Sequence, residues 1–171
     1  MSTMNRWLRI LKHRSLDEGD AQRALGAAGL ERLRERVAAG ERTHSGEVRV
    51  CIEAGLPLSY LWRGAAARER AVTQFGKLRV WDTEYNTGVL IYLLLAEHCI
   101  EIVADRGLSR HIDAAQWQAI AQGMGHAFRE GRFEDGLNVA VYTVTASLRQ
   151  HFPLAEGERN PNELPDAPVL R

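Results

Sequence analysis

The sequence predicts one layered α/β domain with a small mixed sheet, and three observations carry this prediction. The chain has 171 residues, the usual size of a single domain. Apolar residues make up 45% of it and charged residues 26%, as in ordinary globular proteins. The spacing of apolar residues also alternates between the period of a helix and that of a strand. The resulting order is helix, strand, helix, strand, strand, helix, helix.

The first predicted helix covers about residues 20–42, where apolar side chains recur at helical spacing and Gly26 and Gly29 weaken the pattern. A half-buried strand follows at residues 48–52, because every second side chain there is aliphatic. The second predicted helix, residues 64–78, has one apolar face and keeps its charged side chains outside. Those charged side chains are Arg68, Glu69 and Arg70.

The next two strands are predicted to form a hairpin. Residues 89–95 are apolar on both faces, which is typical of a central strand covered from two sides. A tight turn at Glu97 and His98 leads into a strand at residues 100–104, so these two strands should be antiparallel. The first strand, the second helix and the central strand form a βαβ unit, whose two strands should be parallel.

The rest of the chain is predicted to form two helices and a tail. Asp113 and Gln116 have the capping-box spacing at the start of one helix, and Pro153 stops the other. Four of the five prolines lie in residues 153–171, so the tail should be extended and either draped over the domain or disordered. We therefore divide the chain into an amino-terminal segment, a domain and a tail, which are residues 1–19, 20–153 and 154–171.

The amino-terminal segment is basic and amphipathic. Its basic residues are Arg6, Arg9, Lys12 and Arg14. Such a segment suits a helix on a membrane surface, or a helix that docks Trp7 and Leu11 onto its own domain, and we favour the second. No apolar run has the length of a signal peptide or a transmembrane segment. We expect Cys51 and Cys99 to be buried free thiols rather than a disulfide, and we expect a cytoplasmic protein.

Charge and motifs exclude several classes of function. Lys and Arg together number 22, as do Asp and Glu, so the overall charge of the chain attracts neither nucleic acid nor an anionic membrane. No glycine-rich dinucleotide motif follows a strand, and the phosphate loop, the nucleophile elbow and the His-Glu-x-x-His motif are missing. His44 and Ser45 are neighbours in sequence, but this adjacency does not make a catalytic pair.

One edge of the predicted sheet gathers acidic residues. In the predicted topology, the first and central strands begin where the third strand ends. Glu47, residues 82–88 and residues 105–107 should therefore meet at this edge. Carboxylate, amide and backbone carbonyl oxygens are the ligands of hard cations such as calcium and magnesium. The predicted metal ligands are Glu47, Asp82, Asn86 and Asp105.

Two other interpretations of this edge stay open. Arg106 or Arg68 could neutralise the carboxylates and also hold a phosphate or carboxylate group. Alternatively, Asp82 and Asn86 only shape a turn before the central strand, while Asp105 opens another turn after the third. A cation held by carboxylates should bind less tightly as the pH falls, because protons compete for the ligands.

The chain also resembles a known family. The most specific motif is the Asn-x-Gly-Val-Leu-Ile run of residues 86–91, followed by Asp105-Arg106-Gly107. Further matching runs are residues 44–50, 68–75, 81–84 and 101–104, Trp117, and Gly131-x-Phe133-x-x-Gly136. With these residues the chain resembles the TPM domain family over about residues 22–153. That family includes thylakoid-lumen proteins of photosystem II repair, bacterial proteins and a nematode receptor-modulating membrane protein.

The resemblance implies a Rossmann-like α/β/α sandwich, and it implies calcium binding and phosphatase activity, which are associated with plant members. It places the site at Asp82, Asn86 and Asp105, with Glu47 as a neighbour. We favour a soluble, divalent-cation-binding interaction or assembly module that acts with a protein partner, such as a membrane protein. The alternative is a divalent-cation-dependent phosphomonoester hydrolase with Asp82, Asp105 and Arg106 as its catalytic residues.

Overall fold

Helices cover both faces of a four-stranded sheet in the computed structural model, which describes residues 3–171 apart from the side chains of residues 3, 4, 114, 123 and 124. The elements are α1 (Thr3–Arg14), α2 (Glu18–Glu41), β1 (Glu47–Glu53), α3 (Leu58–Trp62), α4 (Ala67–Lys77), β2 (Gly88–Leu94), β3 (Cys99–Ala104), α5 (Arg106–Ser109), α6 (Ala114–Arg129), α7 (Phe133–His151) and β4 (Val169–Leu170). The predicted mixed α/β domain is confirmed, and its layers are compatible with a Rossmann-like sandwich.

The sheet has the strand order β3-β2-β1-β4. As predicted, β2 is parallel to β1 and antiparallel to β3. The short strand β4, at the end of the tail, pairs in parallel with β1 at Cys51 and Ile52. The tail is therefore draped over the domain. Two residues carry no detectable periodicity, so the sequence did not predict this strand.

Alternate side chains of the strands enter two separate cores. On one face, α2, α6 and α7 pack against the sheet, in a core that includes Val48 and Val50 of β1. On the other face, α1, α3, α4 and the tail residue Leu164 pack against Cys51 and Tyr92. The prediction of a half-buried β1 is wrong, because helices cover both its faces and only Arg49 is partly exposed. The prediction that β2 is buried on both faces is confirmed.

A buried ion pair lies beneath α4, where the sequence predicted a solvent-facing arginine. Arg70 donates hydrogen bonds to both carboxylate oxygens of Glu53 over 2.6–3.0 Å. The hydroxyl of Tyr92 donates to Glu53 Oε2 at 2.7 Å. Both charged side chains are buried. The prediction for Arg70 is wrong because a run of charged residues normally indicates a solvent face, whereas its partner here lies on a distant strand.

The first predicted helix forms within two residues of its expected ends, and the second begins later than predicted. The cap of α2 is Asp17, whose side chain accepts a hydrogen bond from the amide of Asp20. Gly26 has a φ of 67° and kinks the helix, which agrees with the weakened pattern there. The helix predicted over residues 64–78 begins only at Ala67, and the separate short helix α3 precedes it in the sequence.

The amino-terminal helix α1 docks onto its own domain, as favoured, but through other side chains than predicted. Ile10 and His13 are buried, while Trp7 and Leu11 are 53% and 65% exposed. His13 Nδ1 accepts the amide of Leu56 at 2.9 Å. The prediction that Trp7 and Leu11 dock the helix is therefore wrong, because the face of α1 that packs on the domain carries Ile10 and His13. In residues 3–171 no helix is both long and apolar enough to cross a membrane.

Both cysteines are free thiols, as predicted. Cys51 is buried on β1, and Cys99 is half-buried on β3. Burial raises the pKa of each thiol to about 12, because the apolar surroundings disfavour the thiolate. Both side chains are therefore protonated at neutral pH, and neither has the thiolate character of a catalytic nucleophile.

Gly88 opens β2 against the backbone of the preceding loop, and we expect its replacement to be costly. A Cβ at this position would lie 1.8 Å from the carbonyl oxygen of Val80. Gly88→Ala should lower the free energy of unfolding by roughly 2–3 kcal/mol, the upper range for overpacking. Gly76→Ala in α4 is the matched control: its Cβ meets nothing within 4 Å, and it should stabilise the helix by up to about 1 kcal/mol. Urea unfolding compares the two, and a Gly88→Ala protein as stable as wild type would contradict the packing.

Candidate functional site

The loop before β2 and the end of β3 meet at one edge of the sheet, as the topology predicted. The amide of Gly107 donates to Asn86 O at 2.8 Å, and the amide of Asp105 donates to Gly88 O at 2.9 Å. A Cβ at position 107 would lie 2.6 Å from Asn86 O, so this approach requires glycine. Asn86 has a left-handed backbone with a φ of 55°, which asparagine adopts more readily than most residues. These contacts place Asn86 beside Asp105.

Asp105 uses only one of its two carboxylate oxygens within the chain. Its Oδ1 accepts the amide of Arg106 at 2.7 Å and so caps α5. Its Oδ2 is buried and has no hydrogen-bond partner among the residues that the structure describes. A buried carboxylate oxygen without a partner is costly, so Oδ2 points to a ligand or a water outside the polypeptide. The turn interpretation explains Oδ1 and leaves Oδ2 unexplained.

The guanidinium of Arg106 lies against the oxygens that a cation would use. It donates to Asn86 Oδ1 at 3.2 Å, and its Nε lies 3.9 Å from Asp105 Oδ1. The side chain of Arg106 is 82% exposed, so it can move away at little cost in packing. Beside it is an open pocket of about 200 Å³, lined by Tyr85, Asn86, Arg106, Gly107 and Arg110. Two guanidinium groups at one pocket suit a phosphate or carboxylate ligand.

Asp82 stands apart from this pair. Its side chain is exposed, and the described residues offer it no hydrogen bond or ion pair. The turn that Asp82 was predicted to shape is tied instead by Thr83, whose hydroxyl accepts the amide of Thr87 at 3.1 Å. Across the described side chains, no three His, Cys, Asp or Glu residues are grouped as a metal site requires. A cation at this edge would therefore need amide or backbone carbonyl oxygens as well.

Glu47 starts β1 at the same edge, but its side chain binds the tail. Glu47 Oε2 accepts the amide of Leu164 at 3.1 Å. Glu47 Oε1 is buried and unpartnered within the described part of the chain. Burial raises the pKa of this carboxyl group, against the opposing effect of the backbone amides of Leu164 and Glu163. The structure thus brings Asn86, Asp105 and Arg106 together and does not bring Glu47 to them.

Two other residues considered from the sequence are engaged elsewhere. Arg68, the alternative counter-charge, donates to the carbonyl of Ile102 and lies 3.6 Å from Glu101. It does not reach the site because α4 places it over the middle of β3. His44 is fully buried, and burial lowers its pKa to about 4. The neutral ring is hydrogen-bonded to Gly46 O at 3.0 Å, which gives it a structural role.

A second acidic cluster, beneath the tail, was missed from the sequence. Glu41, the last residue of α2, is buried, and its Oε1 accepts the amide of Val48 at 2.7 Å. Burial raises the pKa of Glu41 to about 9, and the neighbouring carboxyl groups of Glu47 and Asp166 raise it as well, so the Glu41 side chain is protonated at neutral pH. The signal was helical spacing, since Glu41 continues the inward row of Leu33 and Val37. A pocket of about 470 Å³ lies between α2 and the tail here.

Comparison with known proteins assigns the chain to a family. The family model of the TPM domain matches residues 19–147, which is most of the chain. The chain belongs to the TPM domain family. The matched range includes all the predicted site residues, whereas α1 and the tail lie outside it. No curated protein matches the sequence significantly.

Solved structures share the fold of this TPM domain at low sequence identity. The NMR structure of the BA42 protein from the psychrophilic bacterium Bizionia argentinensis is similar with a TM-score of 0.71 and 23% identity, over 85% of this chain and 94% of that one. The N-terminal domain of a protein from P. gingivalis is similar with a TM-score of 0.61 and 18% identity, over 83% of this chain and 96% of that one. At these identities, the similarity establishes the fold.

Proposed function

We propose that this TPM domain binds a divalent cation, calcium or magnesium, at the edge formed by Asn86 and Asp105. The observation that carries the proposal is the buried, unpartnered Oδ2 of Asp105. Asn86 adds an amide oxygen, and Asp82 adds an exposed carboxylate from the same loop. Carboxylate, amide and carbonyl oxygens are the ligands that both cations prefer. Arg106, which now contacts Asn86 Oδ1, would give up that contact.

The cation-bound edge would serve as an interaction or assembly surface for a protein partner. Trp81 and Tyr85 are both more than half exposed, and they flank Asp82 in the loop that precedes β2. Exposed aromatic side chains are enriched at protein interfaces, where they supply much of the binding energy. A cation that ties Asp82 and Asn86 to Asp105 would fix the conformation of this aromatic loop. This supports a cation-dependent docking surface.

Thermal unfolding of the metal-stripped protein tests the cation site. Calcium, magnesium and manganese are titrated into the wild-type protein and into the variants Asp105→Asn and Glu84→Gln. The Glu84→Gln variant is the control, because it removes an exposed carboxylate from the loop before β2. At a hundredfold excess over the Kd, the cation should stabilise wild type by about 2.7 kcal/mol. Asp105→Asn should lose this shift and Glu84→Gln should keep it. A full shift in Asp105→Asn, or no shift of wild type with any ion, would contradict the proposal.

Phosphomonoester hydrolysis is the second candidate, and the pocket beside Arg106 and Arg110 favours it. Two guanidinium groups there would hold the phosphate group of a substrate. A bound cation would supply polarisation of a phosphoryl oxygen. The exposed Asp82 would accept or deliver a proton. Turnover of p-nitrophenyl phosphate with magnesium should then fall in Arg110→Met. Cation binding without any turnover in wild type would exclude this candidate and leave the interaction module.

A further inference from the structure

Helices α1 and α3 together present a patch of large apolar side chains to solvent. This α1–α3 patch consists of Trp7, Leu8, Leu11, Leu58 and Trp62, all more than half exposed. The rings of Trp7 and Trp62 meet edge to face with centroids 6.2 Å apart, so the two helices form one continuous surface. Single exposed apolar residues are common, but a contiguous group of this kind marks an interaction surface.

The patch faces outward because the opposite face of α1 is anchored. Ile10 and His13 are buried against the domain. Arg9 donates to the carbonyl of Ala65 at 2.7 Å and forms an ion pair with Glu97 at 2.6 Å. The backbone of His13 also packs closely against Gly55. Since these contacts fix the orientation of the helix, its exposed leucines are a defined surface of the folded protein.

Basic side chains border the α1–α3 patch. The first 16 residues contain four Arg and Lys residues and no Asp or Glu. Lys12 and Arg14 are exposed and form no ion pair within the described part of the chain. The guanidinium of Arg6 lies 5.3 Å from the ring centroid of Trp62. Arg63, which follows Trp62 of the patch in sequence, forms an ion pair with Glu69. The border of the patch is therefore cationic on the α1 side.

We propose that the α1–α3 patch binds the surface of an anionic lipid bilayer, with α1 lying along the interface. Tryptophan side chains favour the headgroup region, and the leucines would enter the boundary with the acyl chains. Lys12 and Arg14 would contact lipid phosphates, and each such charge strengthens binding to an anionic surface. This combination of aromatic, aliphatic and cationic side chains on one exposed helix face is typical of interfacial helices.

The patch and the candidate cation site lie at opposite edges of the sheet. Helix α1 contacts Leu56 and Glu97, which follow the carboxyl ends of β1 and β2, whereas Asn86 and Asp105 lie at the other end of the strands. A seven-residue strand spans about 20 Å. A domain bound through the patch would therefore hold the cation site in the water phase. The inference goes beyond the proposed function and does not depend on it.

Vesicle flotation tests the proposal with the full chain. Vesicles contain phosphatidylglycerol and phosphatidylcholine in equal parts, or phosphatidylcholine alone. Wild type should bind the anionic vesicles and bind the neutral ones weakly. Leu8→Ser and Leu11→Ser should each weaken binding about tenfold or more, because burial of a leucine is lost. Lys12→Gln should weaken it about fivefold. Tyr142→Ser, at an exposed apolar position on α7, is the control and should bind like wild type.

Three results would overturn the proposal. The first is failure of wild type to bind the anionic vesicles. The second is vesicle binding that the leucine variants retain while circular dichroism shows them folded. The third is a wild-type protein that does not bind vesicles but self-associates in analytical ultracentrifugation, with Leu11→Ser abolishing the self-association. The patch would then be an interface between copies of the chain. Asp105→Asn should bind vesicles like wild type, so a failed cation site and a failed lipid surface are distinguishable.

Discussion

Replacing Arg70 by methionine is expected to lower the free energy of unfolding by about 3–5 kcal/mol. The substitution leaves the carboxylate of Glu53 buried in the core between β1 and α4 without its counter-charge. The hydroxyl of Tyr92, at 2.7 Å, and the side-chain amide of Gln74, at 3.4 Å, would remain as donors to Glu53. These neutral hydrogen bonds do not offset the cost of a buried charge. Urea unfolding at neutral pH measures the loss.

A surface ion pair of similar geometry provides the control for Arg70. Arg32 of α2 donates to both oxygens of Glu134 on α7 at 2.8 Å, but the pair lies at the surface, where its side chains are 55% and 30% exposed. Arg32→Met should therefore cost at most about 1 kcal/mol. Combining Arg70→Met with Glu53→Leu should recover part of the loss, because the uncompensated charge is gone. Equal costs for Arg70→Met and Arg32→Met would contradict the burial of the Glu53 pair.

Glu41→Gln is expected to raise the free energy of unfolding by about 3 kcal/mol at pH 7. Burial raises the pKa of Glu41 from an ordinary 4.5 to about 9. Between these values the unfolded chain releases the proton while the folded chain keeps it. The contribution of this group to stability is therefore complete below pH 4.5 and is lost progressively up to about pH 9, by about 1.4 kcal/mol per pH unit. Glutamine removes this loss, because its amide stays neutral over the whole pH range.

Unfolding by urea at about pH 5 and about pH 8 tests the sign of the effect. Wild type should lose stability as the pH rises, and Glu41→Gln should show a smaller loss, with the remainder due in part to Glu47, whose pKa is also raised. Glu35→Gln, an exposed position on the same helix, should follow wild type. If Glu41→Gln and Glu35→Gln have the same pH dependence, Glu41 does not hold its proton in the folded state.

The elements with strong local patterns were predictable, and those that depend on distant partners were not. The apolar run of β2 and the capping box of Asp113 with Gln116 are local, and both predictions are confirmed. The second buried face of β1 depends on α4 and the tail, which local alternation does not reveal. The docking face of α1 depends on the contact of His13 with Leu56, 43 residues away.

The position of the candidate site followed from topology alone, but its composition did not. Strand β2 is parallel to β1 and antiparallel to β3, and this arrangement places Asn86 beside Asp105, as predicted. Glu47 accepts a hydrogen bond from the tail residue Leu164. The tail has no helical or strand period in its sequence, so this contact could not be predicted. Arg110 was missed although it follows Arg106 by four residues, a spacing at which side chains of a helical turn share a face.

Calcium titration monitored by amide NMR shifts is the most direct test of the site at Asp105. We predict that the largest shifts fall on the amides of residues 82–88 and 105–107, and that Asp105→Asn abolishes them. The shifts should also weaken as the pH falls toward 4, because protons compete for the carboxylates. Shifts centred on the acidic cluster of Glu41 and Asp166, or no shifts at all, would contradict a cation site between Asn86 and Asp105.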